Sequence, residues 1–230
     1  MLNSRSLHRN PSSVSPRTYD NTLRKEMEAD TIRRIVAATV ELHARQGALA
    51  TTHAEIAALA GVSVATVYKH FPSREALVPH CTGMVMAQAP QVDMQALLAT
   101  RDRHTLLGRL VAALHAQYRF MDPWMRWTPS DAASLPALAQ IVDAQRHALE
   151  SMVRDALAGT AGPPVDDDTF ACVMVLLDYS AWQRLTQVLA DPDRVRRATE
   201  QALQRLMTTP PQHKGGSEHG DHATTAHHGG

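Results

Sequence analysis

Residues 52–71 read THAEIAALAGVSVATVYKHF, a stretch in which nearly every position is specified. Thr52 followed three residues later by Glu55 has the spacing of a capping box, the motif that begins a helix. Gly61 favours the left-handed backbone that ends a helix. Ser63 is then a good N-cap for a second one. The stretch predicts a short helix, a tight glycine turn and another short helix.

The second helix is predicted over Val64–His70, and it stops before Pro72 because the residue before a proline avoids the α conformation. Val67 and Phe71 are expected to face inward. In a helix-turn-helix the second helix enters the major groove of DNA. Two helices joined by a glycine turn also occur in proteins that never meet DNA, so the turn alone leaves that alternative open. The side chains expected to point outward are Val64, Thr66, Lys69 and His70.

The longer string TTHAEIAALAGVSVATVYKHFPSREAL, residues 51–77, resembles the signature of the TetR family, the tetracycline-repressor-like bacterial regulators. Ala65 stands where the family commonly has glycine, and Arg74 where it commonly has lysine. The resemblance implies an all-α fold with an N-terminal three-helix DNA-binding head and a C-terminal helical domain for ligand binding and dimerisation. The positions that carry it are Thr52, Ile56-Ala57, Ala60-Gly61-Val62-Ser63, Thr66-Val67-Tyr68-Lys69-His70-Phe71 and Ser73-Arg74-Glu75-Ala76-Leu77.

The same resemblance implies DNA contacts residue by residue. Val64, Thr66 and Lys69 match base-facing positions, and Thr52, Tyr68, His70 and Arg74 match phosphate-holding positions. The helix-turn-helix geometry itself places Lys69, with Thr52, Tyr68 and Arg74, where phosphates would run, and the small Ser63 and Ala65 let the backbone approach the base edges. Apolar side chains at the start of the second helix offer only apolar contact, for example to a thymine methyl group. Double-stranded DNA with a two-fold operator is the predicted partner, and repression is the family's default.

Composition restricts the remaining classes of function. The 230 residues carry 23 Lys and Arg against 23 Asp and Glu, so any charged partner must be met by a local patch. Cys81 and Cys172 match no metal or redox spacing and are predicted to be reduced core thiols. The N-terminus lacks the apolar segment of a signal peptide, which favours a cytoplasmic protein without membrane spans.

Four segments are predicted along the chain. They are a disordered basic arm (1–27, with Arg5, Arg9, Arg17, Arg24 and Lys25), a helix-turn-helix head (28–78), a helical body (79–209) and a disordered Gly- and His-rich tail (210–230). The head's first helix is expected over Glu28–Gln46, with Gly47 as its stop. Pro79 should kink the helix that follows Ser73, because it removes a backbone hydrogen bond.

Apolar stripes in the body predict helices near 102–121, 134–158, 167–189 and 193–208, with a short piece around 123–131. Ser134 and the run 166–168 are interpreted as N-caps rather than as metal ligands. The last two helices resemble the family's dimerisation pair, although an ordinary hairpin within one subunit is the alternative. Their predicted stripes are Phe170, Val173, Leu177 and Leu185 on one helix, and Val195, Ala202 and Leu206 on the other.

All three tryptophans fall in the body, which suggests a cavity for a small hydrophobic or aromatic effector. The alternative is that these side chains only fill a solid core. The predicted ligand-binding residues are His115, Arg119, Trp124, Trp127, Phe170, Met174, Asp178 and Trp182.

Two other classes of function, an enzyme and a metal-binding protein, have weaker support in the sequence. Residues 61–65 faintly resemble a Gly-x-Ser-x-Gly nucleophile elbow, but no strand precedes them and the last glycine is missing, so no enzyme activity is predicted. Five histidines follow residue 212 among glycines without fixed geometry, which favours a solvated tail over a metal site. No cofactor is predicted.

Overall fold

The computed structural model describes residues 21–208, and this part is all-α, as predicted, without a strand. The arm over residues 1–20 and the tail from 209 onward lie outside the described residues. The helices are α1 (Asn21–Ala50), α2 (His53–Ala60), α3 (Val64–His70), α4 (Arg74–Gln88), α5 (Met94–Leu98), α6 (Arg103–Met125), α7 (Thr128–Ala132), α8 (Pro136–Ala158), α9 (Asp167–Leu177), α10 (Tyr179–Leu189) and α11 (Pro192–Thr208).

The chain forms two compact units. Over the described residues, unit 1 combines 21–88 with 123–142, and unit 2 combines 89–122 with 143–208. Unit 1 is therefore larger than the predicted head over 28–78 and is not continuous in sequence.

Unit 1 has its main core among α1, α2, α3 and α4. Ile35, Ile56, Val67 and Leu77 are each almost fully buried there. Phe71 joins the same core, so Val67 and Phe71 face inward as predicted. Burying side chains of this size stabilises the fold by about 1.5–3 kcal/mol each.

The local signals in residues 52–71 are confirmed. Thr52 and Glu55 form the complete capping box at the start of α2. Gly61 ends that helix with φ 65° and ψ 39°, which is the left-handed conformation. Ser63 caps α3 by accepting the backbone N–H of Thr66. These caps fix where both helices of the motif begin and end.

The first helix begins at Asn21 rather than at Glu28, so the predicted disorder is wrong for residues 21–27. Its early turns are exposed to solvent and carry no apolar stripe, which is why periodicity did not reveal them. Arg24, Lys25 and Glu26 have long, unbranched side chains that favour the helix intrinsically.

Gly47 breaks α1 near its end, with φ 82° and ψ 169°. This confirms the predicted stop. The break leaves the backbone N–H groups of Ala48 and Leu49 without helical partners. The buried carboxylate of Asp131 accepts both of them, at 2.6 and 3.3 Å. A side chain from α7 thus supplies the hydrogen bonds that α1 lost.

Two indoles hold the same end of α1. Trp124 donates its indole N–H to the carbonyl oxygen of Val40 at 2.8 Å, and Trp127 donates to that of Ala44 at 3.3 Å. We call Trp124, Trp127 and Asp131 the α1 clamp. The segment 123–131, predicted as one irregular piece, is instead the end of α6, which continues through Pro123 to Met125, followed by α7.

Unit 2 differs from the prediction at Asp178. The helix expected over 167–189 is two helices, because Asp178 has an extended backbone and caps α10 by accepting the N–H of Ser180 at 2.8 Å. The break frees the carbonyl of Leu177, and the buried Tyr118 hydroxyl donates to it at 2.6 Å. Burial raises the pKa of Tyr118, and nearby Asp178 raises it further.

Several smaller expectations have mixed outcomes. Pro79 lies inside α4, which is nevertheless one helix. The helix α5 carries too short a stripe to be seen in the sequence. Asp166 caps α9 as predicted, whereas α8 begins at Pro136 after Leu135.

Cys81 is buried, which raises the pKa of its thiol to about 12, but Cys172 is exposed and the prediction of a core thiol was wrong there.

We expect the loss of stability on replacing a unit 1 glycine by alanine to depend on the backbone conformation of that glycine. Gly61→Ala should cost about 1–2 kcal/mol, because only the left-handed backbone opposes the new methyl group. Gly47→Ala should cost more, roughly 3 kcal/mol, because glycine alone tolerates its conformation. Its Cβ would also lie 3.0 Å from Asp131 and 3.2 Å from Trp127. The measurement is the free energy of unfolding in urea.

The matched control is Gly83→Ala, in open space within α4. It should raise the free energy of unfolding by about 0.5–1 kcal/mol, because alanine favours a helix interior. An equal cost at positions 47 and 61 would contradict the ranking.

Candidate nucleic-acid interface

The exposed face of α3 combines apolar, aromatic and cationic groups. Val64 is 41% exposed and Tyr68 is 52% exposed, although both are large side chains. Ala65 and Lys69 are exposed beside them. The helix presents this face while Val67 anchors the opposite side in the core. Such a surface is suited to a groove that offers both apolar groups and negative charge.

The ring of Tyr68 is held in place by a neighbour that the sequence analysis missed. His53, on α2, stacks on it with ring centroids 4.3 Å apart and planes 5° from parallel. The His53 Nε2–H donates to the carbonyl oxygen of Phe71 at 2.9 Å, so the imidazole is itself fixed. The phenol is therefore presented to solvent in one orientation. No local spacing signals this pair, because its members lie on different helices.

Two hydroxyls at the start of α3 are bonded to each other. Ser63 Oγ and Thr66 Oγ1 lie 2.8 Å apart, and Ser63 Oγ also accepts the Thr66 backbone N–H at 3.1 Å. Thr66 is half-buried. Much of the hydrogen-bonding capacity of these two hydroxyls is therefore used within the helix.

The two cationic side chains, Lys69 and Arg74, differ in whether they already form hydrogen bonds within the protein. Within the described residues, Lys69 has no hydrogen-bond or ion-pair partner. Arg74 donates its Nε–H to the carbonyl of Thr51 at 3.1 Å, which leaves the rest of its guanidinium for other contacts. Both side chains are exposed, as the predicted phosphate contacts require.

Thr52 and His70 are more constrained than the sequence suggested. The Thr52 hydroxyl is occupied in the capping box, and its bonds to Glu55 lower the pKa of that carboxylate. His70 was expected to point outward, but its side chain is only 11% exposed. Its Nδ1 lies 4.0 Å from a carboxylate oxygen of Glu28, which belongs to α1.

The eight predicted ligand residues are divided between the two units. Trp124 and Trp127 belong to the α1 clamp in unit 1. In unit 2, Trp182 packs with Tyr118 and Tyr179, at centroid distances of 5.9 and 5.7 Å. Asp178 is an exposed helix cap, Arg119 is exposed and Met174 is half-buried.

His115 is the most unusual of the eight. It is buried in α6, and its Nδ1 has no hydrogen-bond partner. Burial lowers the pKa of His115 to about 4, and the positive charges of Arg119 and Arg196 act in the same direction. The imidazole is therefore neutral at neutral pH.

Unit 2 contains a cavity of about 240 Å³ near the loop between α8 and α9. Of the eight predicted residues, only Phe170 lines it. Arg154 lies over the Phe170 ring at 4.0 Å and is 3.3 Å from a carboxylate oxygen of Asp167. Arg103, also in the lining, donates to Thr160 and to the carbonyl of Pro163.

Residues 35–81 match the family model described as bacterial regulatory proteins, tetR family. This part of the chain is similar to the tetR family of bacterial regulatory proteins. The matched residues run from within α1 into α4, so they include the whole helix-turn-helix.

One curated relative is the HTH-type transcriptional regulator LuxR of Vibrio harveyi, 27% identical over 120 residues. That match covers 50% of this chain and 55% of LuxR. A transcriptional regulator from Rhodococcus sp. Rha1 has the same fold, with a TM-score of 0.57 and 21% identity over 76% of this chain and 94% of the other. The putative transcriptional regulator SCO7518 from Streptomyces coelicolor A3(2) also has this fold, with a TM-score of 0.56. It is 20% identical, over 78% of this chain and 99% of the other.

Other kinds of site find little support in the described residues. Between residues 21 and 208, no three His, Cys, Asp or Glu side chains are grouped so that they could hold a metal ion. No helix in that range is long and apolar enough to cross a membrane. The predicted histidine tail lies outside this range.

Proposed function

We propose that this chain is a sequence-specific repressor that binds a two-fold DNA operator in the cytoplasm as a homodimer. The observation that carries the proposal is the solvent-facing surface of α3, with Val64, Ala65, Tyr68 and Lys69 exposed around a buried Val67. A recognition helix inserted in the major groove presents such a face to base edges and flanking phosphates. Repression follows from occupancy, since a bound dimer blocks access to the DNA beneath it.

Phosphate contacts are assigned to Tyr68, Lys69 and Arg74. The free ammonium group of Lys69 suits a nonspecific contact with the backbone, because it has no intramolecular partner among the described residues to give up. Tyr68 loses little conformational entropy on binding, since His53 already fixes its ring. Thr52 and His70 are weaker candidates, because their polar atoms are occupied or largely covered.

We expect Lys69→Ala to weaken binding to specific and nonspecific duplexes alike. The slope of log affinity against log salt should fall by about two units in a dimer, one for each lost phosphate contact. Fluorescence anisotropy over a range of salt concentrations measures this slope. Lys69→Arg is the matched control, because it retains the charge and should retain the slope. An unchanged slope in Lys69→Ala together with unchanged affinity in Tyr68→Phe would reject the assignment.

Dimerisation is assigned to the α9, α10 and α11 region. Much of the predicted stripe, including Phe170, Val173 and Leu177, is already buried within one subunit. The residues that remain open are Val175 and Val188, each 67% exposed. Apolar groups left at the surface of these helices are available to a second copy.

Val175→Arg should produce monomers with greatly reduced operator affinity, because a charge would be buried in the dimer but solvated in the free subunit. Sedimentation velocity at micromolar concentration measures the change. Leu98→Arg, at a 45% exposed position in α5, is the control for adding a charge to an exposed apolar site, and it should remain dimeric. A wild-type chain that sediments as a monomer would refute the proposal.

A second proposed function is effector binding in the cavity of unit 2. Phe170 with Leu157 and Val165 forms an apolar lining, and Arg103 and Arg154 contribute guanidinium groups. An apolar site with a few convergent polar groups is typical of small-molecule sites. We therefore propose a hydrophobic or aromatic effector with an anionic head. Such an effector can shift DNA binding only as far as its affinities differ between the DNA-binding conformation and the non-binding one.

Aromatic and straight-chain carboxylates should raise the melting temperature of the wild type and change its operator affinity. The corresponding amides, which lack the charge, should have a much smaller effect. Arg154→Gln should abolish the response, because the guanidinium over Phe170 is lost. Arg146→Gln is the matched control, an exposed arginine on the same helix that does not line the cavity. If no carboxylate changes either quantity, the effector proposal fails.

A further inference from the structure

We propose that the first turn of α3 reads the C5-methyl groups of thymines, with Val64 as the residue that determines specificity. The proposal rests on the DNA-binding function above and names the class of base that each half-site must present. It makes a methyl group, rather than a hydrogen-bonding pattern, the principal signal read by this end of the helix.

Val64 is an apolar side chain that remains largely open to solvent. It is 41% exposed at the N-terminal end of α3, and the exposed Ala65 lies next to it. The N-terminal residues of a recognition helix are those that contact base edges. Among the groups on the base edges of the major groove, the thymine methyl is the apolar one. The isopropyl group of Val64 therefore finds its complement only where a thymine stands.

The polar groups around Val64 are already engaged. Ser63 Oγ and Thr66 Oγ1 bond to each other at 2.8 Å, and Ser63 Oγ also accepts the N–H of Thr66. Reading a base with either hydroxyl would compete with the cap that begins α3. The first turn consequently presents methyl groups to DNA more readily than hydrogen-bond donors.

Within α3, Lys69 is the side chain best suited to hydrogen-bond the O6 and N7 atoms of a guanine. The helix sequence, VATVYKH, contains no Arg for guanine and no Asn or Gln for adenine. Lys69 can approach guanine but stands in the last turn. Tyr68 lies four residues after Val64 on the same helical face, and its stack on His53 keeps it there. Apolar complementarity is therefore what the first turn of this face offers.

The test uses the full-length protein and the tightest duplex recovered by selection from random DNA. Each thymine of one half-site is replaced in turn by deoxyuridine, which removes the methyl group and leaves the base pair unchanged. At one or two positions the affinity of the wild type should fall about fourfold, equivalent to the ~0.8 kcal/mol of one buried methyl-sized group. Val64→Ala should bind the thymine and deoxyuridine duplexes equally well at those positions.

Lys69→Ala is the matched control, because it should lower affinity yet keep the thymine preference. Val64→Ala removes a partly exposed side chain, and an unchanged melting temperature verifies that it folds. Specific binding by the wild type without any thymine preference would overturn this inference and leave the proposed function intact. A preference that persists undiminished in Val64→Ala would also overturn it. A selection that recovers no specific duplex would overturn the proposed function, and this inference with it.

Discussion

The left-handed backbone of Gly61 is the constraint on which the exposed face of α3 depends. The chain turns there between α2 and α3 within the three residues 61–63, while the caps at Thr52 and Ser63 begin each helix. Because both helix lengths are fixed by these signals, the side of α3 that meets the core is fixed as well. Val67 then lies inside, and Val64 and Tyr68 have no place except at the surface. A backbone angle at one residue thereby determines which side chains are available to a partner.

The helix-turn-helix was predictable because all its determinants are local. A capping box, a glycine and an N-cap act over three or four residues, so they can be seen in a single sequence. The early turns of α1 were not predictable from periodicity, since they bury nothing. The break at Asp178 was hidden for the opposite reason. The apolar stripe runs on through it, and the break is stabilised by Tyr118, far away in sequence.

The residues of the candidate site show the same contrast between local signals and tertiary structure. The exposure of Val64 and Lys69 followed from helical geometry, whereas the stack of His53 on Tyr68 depends on tertiary structure. The predicted effector residues were grouped because they were aromatic and close in sequence. Two of them, Trp124 and Trp127, use their indole N–H groups on α1, a role that residue type alone does not distinguish from ligand binding. Arg154, beside the cavity, was missed because a single arginine on a helix carries no distinctive pattern.

The α1 clamp has a consequence for how this chain could exchange parts with its relatives. Trp124, Trp127 and Asp131 complete the hydrogen bonds of α1 from more than 80 positions further along the chain. A chimaera that replaced only a continuous N-terminal segment would leave these three side chains facing a foreign helix. The buried carboxylate would then have no assured donors. Recombination of this chain is therefore constrained to transfer the two segments of unit 1 together, although they are separated in the sequence.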